Sequence, residues 1–154
     1  MKKLLVLNGP NLAMLGTREP EIYGRITLAD IIARLEKACK EKGVAMDAMQ
    51  SDVEGELVAA VCKARGVYDG IILNPAAFTH TSVAIHDAIK ASGLPVVEVH
   101  LSNVYAREGY RHESITAGVC AGQICGFGQA GYLLALDALI GLWQESASRL
   151  NAGE

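Results

Sequence analysis

The sequence predicts an α/β fold in which a parallel sheet is covered by helices on both faces. Two observations lead to this prediction: short apolar runs alternate with segments of helical periodicity, and a glycine follows most of the helical segments. A length of 154 residues suits one domain. We therefore expect a single domain over residues 1–150, followed by a C-terminal tail over 151–154.

The first elements have clear start and stop signals. Residues 3–8 form an apolar run that ends in the turn sequence Asn8-Gly9-Pro10, which is typical of a buried strand. An irregular stretch follows. Thr27 and Asp30 then form a capping-box pattern before a helical apolar stripe, and Gly43 is a plausible end of that helix.

The rest of the chain repeats the alternation. We expect strands over residues 44–49, 70–74, 95–101 and 117–125, and helices over about 57–66, 83–93 and 129–147. Five strands of this kind favour a flavodoxin-like, doubly wound sheet in three αβα layers. The last helix has more apolar surface than one face of a sheet requires, so contact with another subunit and simple core burial are equally good explanations.

Composition excludes several classes of protein. A net charge of -3 and a pI near 5.8 do not indicate a nucleic-acid or membrane-surface partner. The chain start breaks after a short apolar run, and no stretch reaches the ~20 apolar residues of a spanning helix. The four cysteines include no CxxC pair, and Cys39 and Cys62 fall on apolar helix faces. Buried free thiols in a cytoplasmic protein are therefore expected.

Polar residues follow the ends of the predicted strands, where open α/β sheets bind ligands. These candidates are Asn11, Asn74, His80, Glu98, His100, Leu101, Ser102, Arg107 and Arg111. Glu98 and His100 are two residues apart and therefore share one face of their strand. Such a pair is either a charge-tuned histidine or a satisfied structural pair.

A loop bounded by glycines, residues 16–24, is a candidate lid that carries Arg18 and Tyr23. Tyrosine has a pKa of ~10 in solution and is a poor base at neutral pH, but nearby cations lower that pKa. Arg18, Arg107 and Arg111 could supply them. A solvated loop with an incidental tyrosine is the alternative.

Other motifs are incomplete. No Lys-Ser/Thr follows the first glycines and no GxGxxG follows the first strand, which disfavours the alternative of a nucleotide- or flavin-binding module. Ser82 with His80 and Asp87 could be imagined as a hydrolase triad, but no GxSxG elbow is present. Asp87 is expected on a helix surface, and His112 in a solvated loop.

Several stretches together resemble the type II 3-dehydroquinate dehydratases. The matching segments are LVLNGPNLAMLGTREPEIYG (5–24), SDVEGELV (51–58), ILNPAAFTHTSVAIHDAI (72–89), PVVEVHLSNVYAREGYRHES (95–114) and the tail from Gly118 through Leu136. The resemblance covers nearly the whole chain in order. It implies a flavodoxin-like subunit in a dodecamer of trimers, acting on 3-dehydroquinate without a metal or cofactor.

The resemblance also implies a role for each candidate. Tyr23 matches the base, Arg18 the residue that stabilises its phenolate and the transition state, and His100, supported by Glu98, the acid. Asn11 matches the residue that stabilises the enolate, and Arg107 a second arginine near the tyrosine. The remaining matches are the carboxylate site (Leu101, Ser102), the substrate hydroxyl contacts (Asn74, His80, Arg111) and a residue contributed by a neighbouring subunit (Asp87).

Three departures from the family pattern are visible: Ala13 replaces an Asn, Ala76 and Phe78 replace Gly and Tyr, and Asp52 replaces an Asn. None removes a proposed catalytic group, although Ala13 is expected to loosen hydrogen bonding in the lid. Every lysine lies at the chain start or on a predicted helix. This placement argues against the Schiff-base route of the unrelated type I enzymes.

Overall fold

A computed structural model describes residues 1–17 and 19–153 of the chain. Its strands are β1 (Lys3–Asn8), β2 (Ala45–Gln50), β3 (Gly70–Asn74), β4 (Val96–His100) and β5 (Gly122–Cys125). Its α-helices are α1 (Pro20–Tyr23), α2 (Leu28–Glu41), α3 (Glu54–Ala64), α4 (Val83–Ser92) and α5 (Ala130–Ala152). The strands form one parallel sheet in the order β2-β1-β3-β4-β5. The predicted flavodoxin-like α/β fold is confirmed.

Two apolar layers hold the helices against the sheet. On one face, α2 and α5 pack through residues such as Leu35 and Leu136 against alternate strand residues that include Ile72. On the other face, α3 and α4 pack through Leu57 and Ile85 against the intervening strand residues. Each fully buried side chain of this size stabilises the fold by about 1.5–3 kcal/mol. The central strands therefore have continuous apolar sequences, as is usual for parallel strands that helices cover on both faces.

The predicted helix starts agree better with the structure than the predicted ends. The capping box of Thr27 and Asp30 is present, with Asp30 N–H donating to Thr27 Oγ1 and Thr27 N–H to Asp30 Oδ2. The 23-residue helix α5 runs beyond residue 147 and ends at Gly153, whose φ of 75° stops a helix at little cost. Among the described residues, no helix is long and apolar enough to cross a membrane.

Two expectations need correction. The strand predicted over 117–125 is confined to Gly122–Cys125, because 117–119 form a 3₁₀ turn. Cys39 is a buried free thiol as expected, and burial raises its pKa to about 11. Cys62 is exposed, so its assignment as a buried thiol was wrong. Its neighbours Val61 and Ala64 supply the buried face of α3 instead.

Gly9 lies where the loops after β1 and β3 pack closely against each other. Its N–H donates to Asn74 O at 2.7 Å, and a Cβ at this position would lie 2.6 Å from Pro75 O. Gly9→Ala is therefore expected to destabilise the protein by about 2–3 kcal/mol through overpacking. Gly55→Ala is the matched control, because a Cβ there meets nothing within 4 Å in α3. Chemical denaturation should separate them: equal midpoints would contradict the close approach.

Candidate active site

A cavity of about 250 Å³ opens at the carboxyl ends of β1, β3 and β4. It brings together these predicted site residues: Asn11, Asn74, His80, His100, Leu101, Ser102, Arg107 and Arg111. The other lining residues, all apolar, are Pro10, Leu12, Leu15, Ala76, Ala77 and Val104. The cavity therefore combines apolar side chains with two guanidinium groups and two imidazoles, which suits a small anionic ligand.

His100 and Glu98 lie on the same face of β4, as their spacing predicted. Glu98 is fully buried and His100 is 7% exposed. Their closest side-chain atoms, His100 Nε2 and Glu98 Oε1, are 3.6 Å apart. Of the two side chains, only His100 lines the cavity, so the Glu98 carboxylate can influence a ligand only through His100.

Polar side chains from three segments surround the Glu98 carboxylate. Oε1 accepts from Thr79 Oγ1 at 2.8 Å and from Thr116 Oγ1. Oε2 accepts from Gln123 Nε2 at 2.9 Å and from Ser114 Oγ at 3.2 Å. Because these donors come from separate loops and from β5, they were not predictable from the sequence.

These contacts determine the charge of Glu98. Burial alone would raise its pKa, but the nearby charge of His100 and the hydrogen bonds from the hydroxyls of Thr116 and Thr79 hold the pKa below its ordinary value. The group is therefore a carboxylate at neutral pH, beside an imidazole that can carry a proton. His100 lines the cavity and its Nε2 has no hydrogen-bond partner among the described residues, which argues against a satisfied structural pair.

His80 is held by a single strong contact. Its Nδ1–H donates to the carbonyl of Glu113 at 2.6 Å. Since a carbonyl can only accept, Nδ1 carries the hydrogen, and Nε2 of the neutral ring is an acceptor. His80 can therefore accept a hydrogen bond from a ligand hydroxyl.

Arg107 and Arg111 enter the cavity from the segment after β4. Glu108 Oε2 lies 2.9 Å from Arg111 Nε and 3.7 Å from Arg107 Nε. The exposed His112 donates from Nε2 to Arg107 O at 3.0 Å. His112 is exposed, as expected of a solvated loop residue, and this hydrogen bond ties its side chain to the backbone of the segment.

Asn11 lies in a left-handed conformation, with φ at 67°, which asparagine tolerates better than most residues. Its N–H donates to Asp52 Oδ1 at 2.8 Å, and Gln50 Nε2 donates to the same oxygen at 3.1 Å. Asp52, which stands where the family pattern has Asn, therefore still provides a hydrogen-bond acceptor for the loop that follows β1. Ala76 has φ at 50° and occupies the position where the resembled pattern has glycine.

Asp87 and Ser82 do not line this cavity. Asp87 is exposed on α4 and accepts from His86 Nδ1 at 2.9 Å. Ser82 is buried and its Oγ accepts Ile85 N–H as the N-cap of α4, which argues against a nucleophile. Arg18 and the side chain of Tyr23 lie outside the described part of the structure. Within that part, no group of three or more His, Cys, Asp and Glu could hold a metal ion.

The lowered pKa of Glu98 links stability to pH. A carboxyl whose folded pKa is depressed contributes stability that is present above its unfolded pKa and lost as pH falls through the folded pKa. Glu98→Gln should unfold about 3 kcal/mol more easily at pH 7, since the amide disrupts a buried charged network. Its free energy of unfolding should also vary less with pH below the ordinary carboxyl range near 4.5.

The control is Glu145→Gln, on the exposed end of α5. Denaturation of both variants and the wild type at pH 7 and pH 4 provides the measurement. Equal pH dependence of Glu98→Gln and the wild type would contradict the ionised state of Glu98.

Known proteins resemble the chain over most of its length. The family model for Dehydroquinase class II matches residues 2–140. A 3-dehydroquinate dehydratase of Geotalea daltonii is 56% identical over 137 residues, which cover 89% of this chain and 95% of the relative. One from Bacillus cereus is 54% identical over 140 residues, covering 91% of this chain and 96% of the relative.

Solved structures agree with these sequence matches. A crystal structure of type II dehydroquinase from Butyrivibrio crossotus has a TM-score of 0.88 and 44% identity, covering 90% of this chain and 97% of that one. The type II dehydroquinase of Propionibacterium acnes has a TM-score of 0.87 and 42% identity, covering 90% and 96%. The chain therefore belongs to the class II dehydroquinase family.

Proposed function

We propose that this protein is a hydro-lyase that converts 3-dehydroquinate to 3-dehydroshikimate and water. The observation that supports this activity best is the protonatable His100, backed by the buried, ionised Glu98 and opening onto a cavity with two arginines. The names of the relatives, which are 3-dehydroquinate dehydratases, support 3-dehydroquinate as the substrate. A non-catalytic nucleotide- or flavin-binding module is not favoured, because the relatives named above are enzymes of one activity.

The reaction proceeds by anti elimination through an enolate. The Tyr23 phenolate takes a proton from the carbon beside the ketone, and the electron pair of the broken C–H bond forms the enolate. The enolate then reforms its ketone as the neighbouring C–O bond breaks. His100 gives its proton to the departing hydroxyl, which leaves as water.

The other residues bind the substrate or stabilise charge. Arg18 and Arg107 lower the pKa of Tyr23, and Asn11 stabilises the enolate oxygen. The backbone of Leu101 and Ser102 holds the substrate carboxylate. The substrate hydroxyls are contacted by Asn74, His80 and Arg111. These roles are supported by the position of seven of these residues in the cavity wall: Asn11, Asn74, His80, Leu101, Ser102, Arg107 and Arg111.

The active form is a homododecamer built from trimers. Asp87 reaches the site of a neighbouring subunit, which fits its exposed position on α4 away from the cavity of its own chain. The enzyme uses no metal or cofactor and acts in the cytoplasm, in the shikimate pathway of aromatic amino acid biosynthesis. Sedimentation analysis tests the assembly.

Purified protein mixed with 3-dehydroquinate tests the activity. The product is a conjugated enone acid, so ultraviolet absorbance should rise with time. No signal at high enzyme concentration would refute the dehydratase. Retained flavin colour would favour the binding module, and ester turnover lost in Ser82→Ala would favour a hydrolase.

A further inference from the structure

Tyr132, in the first turn of α5, is the largest buried polar side chain below the cavity. It is 1% exposed, and burial raises its pKa, so its hydroxyl remains protonated. That hydroxyl meets two asparagines at the ends of neighbouring strands, Asn8 on β1 and Asn74 on β3. Those asparagines are register partners in the sheet.

The contacts of Tyr132 form a chain of hydrogen bonds with a fixed direction. Ala76 N–H donates to Asn74 Oδ1 at 3.1 Å, and Asn74 Nδ2 donates to Tyr132 Oη at 3.0 Å. The Tyr132 hydroxyl donates to Asn8 Oδ1 at 2.7 Å, and Asn8 Nδ2 donates to Met49 O at 3.4 Å. A backbone N–H can only donate and a carbonyl can only accept, so neither asparagine amide can reverse without breaking bonds.

This direction matters because Asn74 lines the cavity. Its Oδ1 is occupied by Ala76 N–H, and one Nδ2 hydrogen is occupied by Tyr132. Among the described residues the second Nδ2 hydrogen has no partner. The Asn74 amide therefore still has an N–H to donate at the cavity wall, while its oxygen already accepts one hydrogen bond.

We propose that Tyr132 is a positioning residue for substrate binding: through its hydroxyl it holds the Asn74 amide so that an N–H faces an oxygen of the substrate. The proposal rests on the dehydratase function and deepens it. Tyr132 touches no substrate itself, and its effect is transmitted through Asn74.

A double-mutant cycle tests this role. Tyr132→Phe keeps the ring and removes only the hydroxyl. It should raise KM by about 3- to 10-fold, because one oriented hydrogen bond contributes a free energy of that size. The same variant should change kcat by less than about 2-fold. In an Asn74→Ala background the same change should alter KM by less than about 2-fold. Additive effects on KM, or no effect of Tyr132→Phe, would overturn the proposal.

Tyr68→Phe is the matched control. Its hydroxyl also donates one hydrogen bond, to Asp47 Oδ2 at 2.7 Å, but from the far edge of the sheet. It should leave KM unchanged. If Tyr132→Phe does not fold, Asn8→Ala breaks the chain at its next member, and its effect on KM should likewise disappear in the Asn74→Ala background.

Nuclear magnetic resonance separates this inference from the proposed function. The Asn74 side-chain amide is assigned by its disappearance in Asn74→Ala. One of its protons should exchange slowly with solvent in the wild type and fast in Tyr132→Phe, whether or not 3-dehydroquinate is turned over. Equal exchange rates would refute the hydrogen-bond chain, whereas an inactive wild type would refute only the dehydratase activity.

Discussion

Replacing His100 with Asn is expected to lower kcat by about 10²- to 10⁴-fold, the usual contribution of a positioned general acid. The departing hydroxyl would then leave without a proton donor. The ring of donors around Glu98 would remain, with Thr79 and Gln123 still bonded to the carboxylate. The loss should therefore be in chemistry and not in folding.

Isotope exchange shows which step is lost. If His100 serves only the departure of the hydroxyl, the variant should still remove the proton beside the ketone. In D₂O, recovered 3-dehydroquinate should therefore gain deuterium at that carbon. Loss of both exchange and turnover, with substrate binding intact by calorimetry, would contradict the assignment of His100 as the acid alone.

The sheet was predictable because burial of β1 and β3 on both faces leaves a strong apolar signal in the sequence. The edge strand β2 is only half buried and gave a weak signal. β5 was placed too early, because the small apolar residues of 117–119 suit a 3₁₀ turn as well as a strand. The exposed end of α5 was missed, since a polar helix end has no apolar stripe to detect.

Within the site, residues that follow a strand directly were predictable. Asn74 and His100 end β3 and β4, and parallel topology brings such positions to one edge. The groups that hold them were not. Tyr132 reads as part of an apolar helix, and Thr116 as one hydroxyl in a loop; only the tertiary structure brings them to Asn74 and Glu98.

Tyr23→Phe is expected to lower kcat by at least about 10³-fold, because no other group is proposed to accept the proton. A phenol with a pKa of ~10 works as a base at neutral pH only when cations stabilise the phenolate. Arg107 and Arg111 line the cavity and can contribute that charge. The backbone places Tyr23 at the end of α1, immediately before Gly24.

Deuterium exchange separates this variant from His100→Asn. Without the phenol the proton beside the ketone is never removed, so recovered substrate should gain no deuterium. Tyr105→Phe is the control, because this tyrosine is 61% exposed and does not line the cavity. It should retain wild-type turnover. If Tyr23→Phe still exchanged the proton at the wild-type rate, another group would have to be the base. The proposed role of Arg18 and Arg107 in lowering the pKa of Tyr23 would then be refuted as well.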